Sequence, residues 1–512
     1  MSDWPESPKL YEINTWVWLA ALSRRYGSAI DLSSVPAAEW DTIAEFRMDA
    51  VWLMGMWERS AAGIAIANQN HGLLEDFRRA LPDFQIEDNV GSAYCIRRYV
   101  VDERLGGPQG LAIARKELAQ RGMRLILDFV PNHVAPDHPW VTAHPEYFVQ
   151  GSGEDLRDDP ASFLEVEGRI YARGRDPNFP AWPDVLQLNA FAPELRLAIA
   201  RELSKIADQC DGVRCDMAML VMSGIFARTW GAGAEGGRAG RVPDTEYWVE
   251  VIPAVKRTHP GFLFIAEAYW ELEWDLQQQG FDYCYDKRLY DRLEHGSPES
   301  IRLHLSADMA YQRKLLRFIE NHDEPRAAAI FSPEKERAAT VTMATLPGAK
   351  LFHEGQFEGR KTRVPVFLGR GPEEAPNEWL QDFYRRLMKA IDSPAYRRGE
   401  WSLCACIGWP DNASFQNLAA WSWVAADDEA DDLAGDLAQD RWLVVVNLSG
   451  TAVQARVEVP MGEEQGGAVY LEDALSDVVY ERDAGEMLDP GLYVDMGPWE
   501  CYCFHVRPAN PA

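Results

Sequence analysis

The chain has 512 residues, of which 47% are hydrophobic and 26% charged, and its formal net charge at pH 7 is −29. Because phosphate backbones and anionic membranes bind basic surfaces, this charge argues against nucleic acid and membrane partners. No run of 18 apolar residues and no signal-peptide pattern occurs, and eight Cys are too few for a disulfide framework, so we expect a cytoplasmic protein with reduced thiols.

Short apolar runs alternate with helical stretches from residue 10 to residue 391. The predicted strands cover residues 10–18, 50–56, 124–130, 212–216, 262–266, 281–285, 316–319 and 350–353. The clearest predicted helices cover residues 41–47, 108–121, 193–208, 245–258 and 378–391. This alternation predicts an α/β fold, a (β/α)8 TIM barrel, in which an active site lies at the carboxyl ends of the strands.

Two regions depart from the alternating pattern. The stretch after the third strand is rich in Pro, Gly, Asp and Arg and is too long for an ordinary loop, which indicates a small inserted subdomain. After residue 398 several short strands with alternating polarity predict a C-terminal all-β sandwich. We therefore predict barrel segments over 1–134 and 186–398, the inserted subdomain over 135–185, and the β-sandwich domain over 399–512.

Three carboxylic acids follow apolar runs of the predicted barrel: Asp216, Glu267 and Asp323. A buried acid at such a position is costly unless it is paired or functional. With Arg214 and His322 beside them, these acids indicate one active site, and the alternative is a set of salt-bridged acids in the barrel wall.

Four short motifs carry a resemblance to a known family. Asp-Phe-Val-Pro-Asn-His at 128–133, Gly-Val-Arg-Cys-Asp at 212–216, Ala-Glu at 266–267 and Asn-His-Asp at 321–323 resemble the four conserved regions of the α-amylase family, glycoside hydrolase family 13. They occur in the family's order and on the strands where the family carries them. The resemblance covers nearly the whole chain and implies a retaining α-glycosidase that acts on a short α-glucoside or α-glucan oligosaccharide.

The resemblance also implies a role for each acid. Asp216 matches the nucleophile, Glu267 the general acid/base, and Asp323 the acid that holds substrate hydroxyls and stabilises the transition state. Arg214 lies on the same side of its strand as Asp216 and is expected to keep that carboxylate ionised. Glu267 must be protonated at rest, and we expect Phe262, Phe264, Tyr269 and Trp270 to provide the apolar surroundings for it.

Other residues match the family's sugar-binding positions. His133 and His322 match two histidines that hydrogen-bond the sugar in the reactive subsite, and Tyr94 resembles the aromatic platform beneath that sugar. Ordinary core packing is the alternative for Tyr94. Asp128 is expected to brace the site.

The chain departs from the family at the calcium-related positions. Many α-amylases carry Lys-His three and four residues after the nucleophile, where this chain has Met219 and Leu220, which cannot ligate a hard cation. Asn132 matches another calcium-ligand position, and whether calcium binds there is left open. We expect no metal and no cofactor in the reaction.

Four further patterns have two readings each. The basic loop 358–370 indicates either a site for phosphate or an anionic sugar, or arginines tied to nearby acids. The segment 231–236 fits Gly-x-Gly-x-x-Gly but follows no apolar strand, so a loop is favoured over a dinucleotide site. The Cys-x-Cys pairs at 404–406 and 501–503 favour buried apolar thiols over zinc, and the acidic run 427–432 favours a solvated hairpin tip.

The sequence leaves two alternatives to hydrolysis. An α-glucan transglycosylase, or a glucosyl or maltosyl transferase that uses phosphate or a sugar phosphate, would carry the same acids. A non-catalytic carbohydrate-binding barrel would normally have lost one of them. The expected partner is an α-glucoside or oligosaccharide substrate; donor, acceptor, linkage and oligomeric state are not predicted.

Overall fold

The computed structural model describes residues 4–231, 237–425, 440–460 and 467–508. Eight parallel strands form a closed barrel, in which β1 pairs with both β2 and β8. The strands are β1 Lys9–Asn14, β2 Ala50–Met54, β3 Arg124–Phe129, β4 Gly212–Cys215, β5 Leu263–Ala266, β6 Tyr283–Tyr285, β7 Leu315–Arg317 and β8 Ala349–His353. The predicted TIM barrel is confirmed.

Helices surround the barrel and follow most of its strands. The longer helices are Thr15–Tyr26, Ala37–Glu45, His71–Ala80, Gly107–Gln120, Pro193–Ala207, Ser223–Trp230, Tyr247–Lys256, Lys287–His295, Pro298–Leu305, Pro333–Thr345 and Glu378–Ala390. Shorter helices are Ala61–Ala67, Pro139–Ala143, Gly153–Asp158, Glu273–Gln278, Met309–Gln312, Ala327–Ile330, Pro394–Arg398 and Ala484–Glu486.

Several predicted strands are shorter in the structure, among them β1 and β7. β1 ends at Asn14, because the Asn14 side chain accepts a hydrogen bond from the Val17 N–H and caps the helix that follows. β7 ends at Arg317, so the loop that carries Asp323 begins earlier than predicted. In both cases an apolar run continues past the strand, and apolar content alone does not mark the boundary.

The insertion after β3 is closed at its base by a two-stranded ladder between His133–Val134 and Leu186–Gln187. It contains an antiparallel hairpin of Phe163–Val166 and Arg169–Ala172. The loop after β2 is also long, and there Trp57–Arg59 pairs with Ile96–Val101. The domain limits at residues 134, 185 and 398 stay predictions.

The C-terminal region is all-β, as predicted, and consists of two sheets with a shared core. The six-stranded sheet contains Glu400–Cys404, Leu418–Val424, Arg441–Asn447, Cys501–Pro508, Ala468–Asp473 and Val479–Asp483, in that spatial order. The three-stranded sheet contains Cys406–Ile407, Val453–Val457 and Leu492–Met496. Side chains of both sheets form one apolar cluster, while Trp421 and Trp423 on the other face of the larger sheet pack towards the barrel.

None of the helices in the described parts of the chain is both long and apolar enough to cross a membrane.

Candidate active site

The three predicted acids meet at the carboxyl end of the barrel. Asp216 follows β4 directly, and its N–H donates to the Phe129 carbonyl at 2.8 Å. Glu267 follows β5 directly, and its N–H donates to the Cys215 carbonyl at 3.0 Å. These bonds continue the barrel ladders by one residue, so both acids are held by rigid strands. Asp323 comes from the loop after β7.

Arg214 is the shared partner of these acids. Its Nη1 lies 2.8 Å from Asp216 Oδ1, and its Nη2 lies 2.8 Å from Glu267 Oε2. Asp323 Oδ2 and Asp128 Oδ1 each lie 3.9 Å from the same guanidinium. The side chain is fully buried, so its charge is weakly screened and stabilises several carboxylates at once.

Aromatic rings enclose the Arg214 guanidinium. Its centre lies 5.1 Å from the Tyr94 ring, 5.4 Å from the Trp52 ring and 5.7 Å from the Tyr285 ring. Ring faces attract a cation at this range and replace part of the hydration that burial removes. The guanidinium is therefore fixed in one position beneath the acids.

The three acids have different protonation behaviour. Burial raises the pKa of Glu267 to about 7, although Arg214 opposes the change. Burial also raises the pKa of Asp216 to about 6, again against Arg214. Burial acts in the same direction on Asp323, whose side chain is 41% exposed, but His322 and Arg214 lower its pKa to about 2. Near neutral pH, Glu267 is the acid that most readily holds a proton.

His322 is held by three polar partners. Its Nδ1 bonds the buried carboxylate of Glu12, and its Nε2 lies 2.7 Å from the Tyr94 hydroxyl and 3.0 Å from Asp323 Oδ2. Burial opposes a charge on the ring, but Asp323 and Glu12 raise the pKa of His322 well above its usual value. The imidazolium therefore links Tyr94 to Asp323 across the site.

His133 and Asp128 come from β3 and the segment that follows it. Burial lowers the pKa of His133 to about 4, so its ring is neutral, and it hydrogen-bonds the backbone of Tyr94. Its ring centre lies 5.0 Å from that of Trp182 in the insertion. Asp128 Oδ2 accepts the Gly55 N–H at 2.9 Å, which fixes the start of the loop after β2. The other seven predicted site residues are thus brought together around Arg214.

The chain is similar in sequence to curated proteins. The chain is 24% identical over 404 residues to "Alpha-amylase MalA" of Haloarcula japonica. The alignment covers 77% of this chain and 50% of that protein. The chain is also 21% identical over 307 residues to "Alpha-amylase 3" of Dictyoglomus thermophilum, with 54% of each covered. Both of these relatives are α-amylases by name, so the chain is similar in sequence to α-amylases. It spans about half the length of these curated relatives, and no family model matches it.

Solved structures share the fold over the whole chain. The maltogenic α-amylase AmyB of Thermotoga neapolitana superposes with a TM-score of 0.65 at 18% identity, covering 98% of this chain and 99% of that one. A debranching enzyme of Nostoc punctiforme gives 0.64 at 15% identity, covering 99% of each chain.

The calcium-related positions of the family are filled differently here. Met219 and Leu220 are buried in the apolar core. The Asn132 side-chain oxygen Oδ1 accepts a hydrogen bond from Gln187 Nε2 at 2.9 Å, so it is already engaged. Among the described residues, no group of three or more His, Cys, Asp or Glu is placed to hold a metal. These residues do not fit the family's calcium site.

Sequence reasoning missed several residues of this site. Glu12 is a charged residue inside a predicted apolar strand, and this was the signal that could have indicated its place in the site. The Tyr285 hydroxyl accepts from Arg214 Nε at 3.3 Å, and its only signal was its place at the end of β6. Tyr269 was predicted as an apolar neighbour of Glu267, and its hydroxyl donates to Glu267 Oε1 at 2.9 Å.

The prediction that Phe262 and Phe264 surround Glu267 is wrong. Alternate residues of β5 face opposite sides, so Leu263 and Ile265 pack inside the barrel while Phe262 and Phe264 pack against the helices. Glu267 continues the inward set. Its low-dielectric surroundings come from burial inside the barrel and from Tyr269.

A cleft of about 680 Å³ opens on the Glu267 side of the acids. Met217, Tyr269 and Trp270 line it beside the acids, and the helix Lys287–His295 forms the far wall. Trp270 is 37% exposed, and Phe179 from the insertion is 65% exposed at the rim.

The cleft contains three of the chain's left-handed residues other than glycine. Met217 has a φ of 41°, Trp270 of 60° and Glu271 of 64°. Such conformations cost free energy in residues with a Cβ and concentrate at ligand sites. The Met217 N–H donates to Glu267 Oε2 at 2.5 Å, so this backbone conformation also positions the acid.

The basic loop is largely tied to acids. Arg360 pairs with Glu354, and Arg370 donates to Asp88 at 2.7 Å and 2.8 Å. Arg363 Nη1 lies 3.4 Å from the Asp323 carbonyl oxygen, beside the acid cluster. Arg360 and Arg370 therefore fit the interpretation in which arginines of this loop pair with nearby acids.

The remaining patterns have mixed outcomes. Cys404 and Cys406 belong to different sheets but to one apolar core, and Cys501 and Cys503 are buried. Residues 232–236 of the glycine-rich segment and the acidic run 427–432 lie outside the described residues.

Proposed function

We propose that the chain is a retaining α-glycosidase that acts on a short α-glucoside or α-glucan oligosaccharide. The observation that carries the proposal is the single buried guanidinium of Arg214, which lies 2.8 Å from both Asp216 and Glu267. One cation shared by two carboxyls keeps them close together, as a retaining pair requires.

The first step would join Asp216 to the sugar. Glu267 donates its proton to the glycosidic oxygen while Asp216 Oδ attacks the anomeric carbon, and the bond to the leaving group breaks. The raised pKa of Glu267, about 7, supplies this proton near neutral pH. In the second step Glu267 takes a proton from water, the water oxygen bonds the anomeric carbon, and Asp216 leaves as a carboxylate.

The surrounding residues would hold the sugar. Tyr94 presents a half-buried ring beside Arg214, and its hydroxyl is fixed by His322, so the ring can serve as a rigid platform. Asp323 is ionised and partly exposed, which suits hydrogen bonds to sugar hydroxyls that strengthen in the transition state. His133 and His322 would donate to the remaining hydroxyls.

The test is hydrolysis of an aryl α-glucoside, with the anomer of the released sugar followed by NMR. We expect the α-anomer first, and a loss of about 10⁴-fold or more in kcat for Asp216→Asn. Asp208→Asn is a matched control, because Asp208 is an exposed acid paired with His259. Initial release of the β-anomer would contradict retention, and unchanged turnover in Asp216→Asn would contradict the nucleophile.

A second candidate, transglycosylation, is favoured by the cleft beside Glu267. Its volume and its exposed Trp270 and Phe179 suit a second sugar as acceptor in place of water. Incubation with maltose or maltotriose, with and without phosphate, followed by mass spectrometry, separates the candidates. Products longer than the substrate indicate transfer, a sugar phosphate indicates phosphorolysis, and products no longer than the substrate indicate hydrolysis. No turnover of any sugar would favour a non-catalytic barrel.

A further inference from the structure

Glu12 is a buried carboxylate inside the barrel, next to His322. It lies on β1 two residues after Leu10, whose side chain packs inside the barrel, and strand alternation points Glu12 to the same side. Its side chain is 0% exposed. Among the described residues, only His322 makes a hydrogen bond or ion pair with this carboxylate. An isolated charge at this depth is costly, so the ionised form of Glu12 depends on a positive charge at His322.

The strand position of Glu12 is rigid. β1 pairs with β8, where His353 is the register partner of Glu12, and the Glu354 N–H donates to the Glu12 carbonyl at 2.8 Å. His353 is held in turn, because Arg326 Nη1 donates to His353 Nδ1 at 2.8 Å and to Glu320 Oε1 at 2.6 Å. The backbone and the neighbouring side chain therefore leave Glu12 little freedom to move.

The contact with Glu12 sets the orientation of the His322 ring. The two ring nitrogens lie on different edges of an imidazole, so a ring with Nδ1 on Glu12 turns Nε2 towards the site. There Nε2 lies 2.7 Å from the Tyr94 hydroxyl and 3.0 Å from Asp323 Oδ2. The Trp52 ring packs edge-on against His322, with 5.5 Å between ring centres, and restricts its rotation.

The same contact decides whether Nε2 of His322 can donate. In a neutral ring that donates from Nδ1 to Glu12, Nε2 carries a lone pair, which would face the Asp323 carboxylate, whereas both nitrogens of an imidazolium donate. Burial opposes the charged ring, but Asp323 and Glu12 raise the pKa of His322 well above its usual value. Burial also opposes the charge on Glu12, but His322 and His353 lower its pKa. Glu12 and His322 thus form a buried ion pair.

The imidazolium needs both carboxylates because other charged groups lie nearby. The further titratable groups around Glu12 and His322 come from the barrel strands and their loops: Tyr94, Asp128, Arg214, Asp323 and His353. Arg214 carries a fixed positive charge 3.9 Å from Asp323, which opposes a second cation at His322. Without the charge of Glu12, His322 would therefore lose its proton at a lower pH.

We propose that Glu12 is a positioning residue of this site, which holds His322 as an imidazolium whose Nε2–H points at Asp323 and at the sugar that Asp323 binds. Glu12 itself touches no reacting atom and acts through His322. Its effect on turnover rests on the proposed function, whereas its effect on the protonation of His322 does not.

The protonation of His322 can be measured by NMR of protein labelled with nitrogen-15 at histidine. The chain has ten His, and the signals that His322→Gln removes belong to this ring. We expect both ring nitrogens of His322 to carry protons in the native protein at pH 8. Glu12→Gln keeps the shape of the side chain without its charge, so His322 should become neutral between pH 6 and pH 8, closer to the ordinary range of histidine.

Turnover of an aryl α-glucoside gives a second readout. Glu12→Gln should lower kcat by about tenfold to 100-fold at pH 8 and by less at pH 6, where His322 can still hold its second proton. KM should change by less than about threefold, because the bonds of Asp323 to the sugar strengthen in the transition state. Glu12→Asp keeps the charge, so it should recover part of kcat and have the same effect at both pH values.

Asp440→Asn is the matched control. Asp440 also pairs with a histidine, His505 at 3.2 Å, but lies in the C-terminal all-β region. The variant should leave the His322 signals and both kinetic constants unchanged.

Three results would overturn the inference: a neutral His322 in the native protein at pH 8, a charged His322 in Glu12→Gln at that pH, or equal losses of kcat at pH 6 and pH 8. The last would indicate a purely structural defect. If Glu12→Gln does not fold, the native signals and Glu12→Asp still decide. If the native protein cleaves no aryl α-glucoside, the proposed function fails and the effect on turnover with it, while the histidine signals still test the link between Glu12 and His322.

Discussion

Replacement of Glu267 by Gln tests the physical basis of the site most directly. Glu267 is 2% exposed, and burial raises its pKa from 4.5 to about 7. A folded-state pKa above the unfolded value means that the fold favours the protonated acid. The stabilisation of the native state by protonated Glu267 is fully present below pH 4.5 and is lost as pH rises through 7.

The size of the effect follows from the same two values. The difference between 4.5 and about 7 corresponds to about 3 kcal/mol in the free energy of unfolding. The native protein is less stable by this amount at pH 8, because Glu267 is then ionised. Gln keeps the shape of the protonated acid and cannot ionise. About 0.8 kcal/mol of this is already lost at pH 5, so relative to the native protein Glu267→Gln should gain about 2.5 kcal/mol between pH 5 and pH 8.

The assay is urea denaturation of both proteins at pH 5 and pH 8, together with kcat on an aryl α-glucoside. Activity should fall by about 10²–10⁴-fold as the proton donor is lost. Glu202→Gln is the control, since Glu202 is paired with Lys205 on the helix Pro193–Ala207 and should shift stability by less than about 0.5 kcal/mol at either pH. A Gln variant that is less stable than the native protein at pH 8 would refute the reasoning, because Glu267 would then be ionised at rest and held by Arg214.

Three further predictions concern the same cluster. Arg214→Met should destabilise the fold by about 3–5 kcal/mol at pH 7 and by less at pH 4.5, where the carboxyls can accept protons; denaturation at the two pH values checks this, and an equal cost would contradict it. Tyr94→Phe should lower kcat/KM by about tenfold through the lost bond to His322, while an unchanged value would show that the ring alone matters. The profile of kcat/KM should be bell-shaped with limbs near pH 6 and 7, set by the Asp216 and Glu267 pair, and an optimum below pH 5 would contradict the pKa order.

The barrel strands and the place of the acids could be predicted because the relevant signals are local. An apolar run of four to eight residues predicts a buried strand, and Asp216 and Glu267 follow β4 and β5 directly. Strand alternation then places Arg214 and Asp216 on one side. Applied to Phe262 and Phe264, the same rule would have excluded them from the surroundings of Glu267.

Contacts between distant loops could not be predicted in this way. Glu12 and His322 are 310 residues apart, and Arg370 and Asp88 are 282 apart. Neither pair has a periodicity that links its members. Their meeting depends on barrel closure, which brings β1 beside β8 and the loop after β2 against the loop after β8.

The sequence by itself determined the barrel, its all-β C-terminal domain and the identity of the acids, because these depend on residue type and short-range spacing. The tertiary structure decided which carboxyl holds a proton, since the pKa depends on burial and on where Arg214 lies among the acids. It also decided that a cleft of about 680 Å³ opens beside Glu267, because free space is a property of packed loops and not of any one segment.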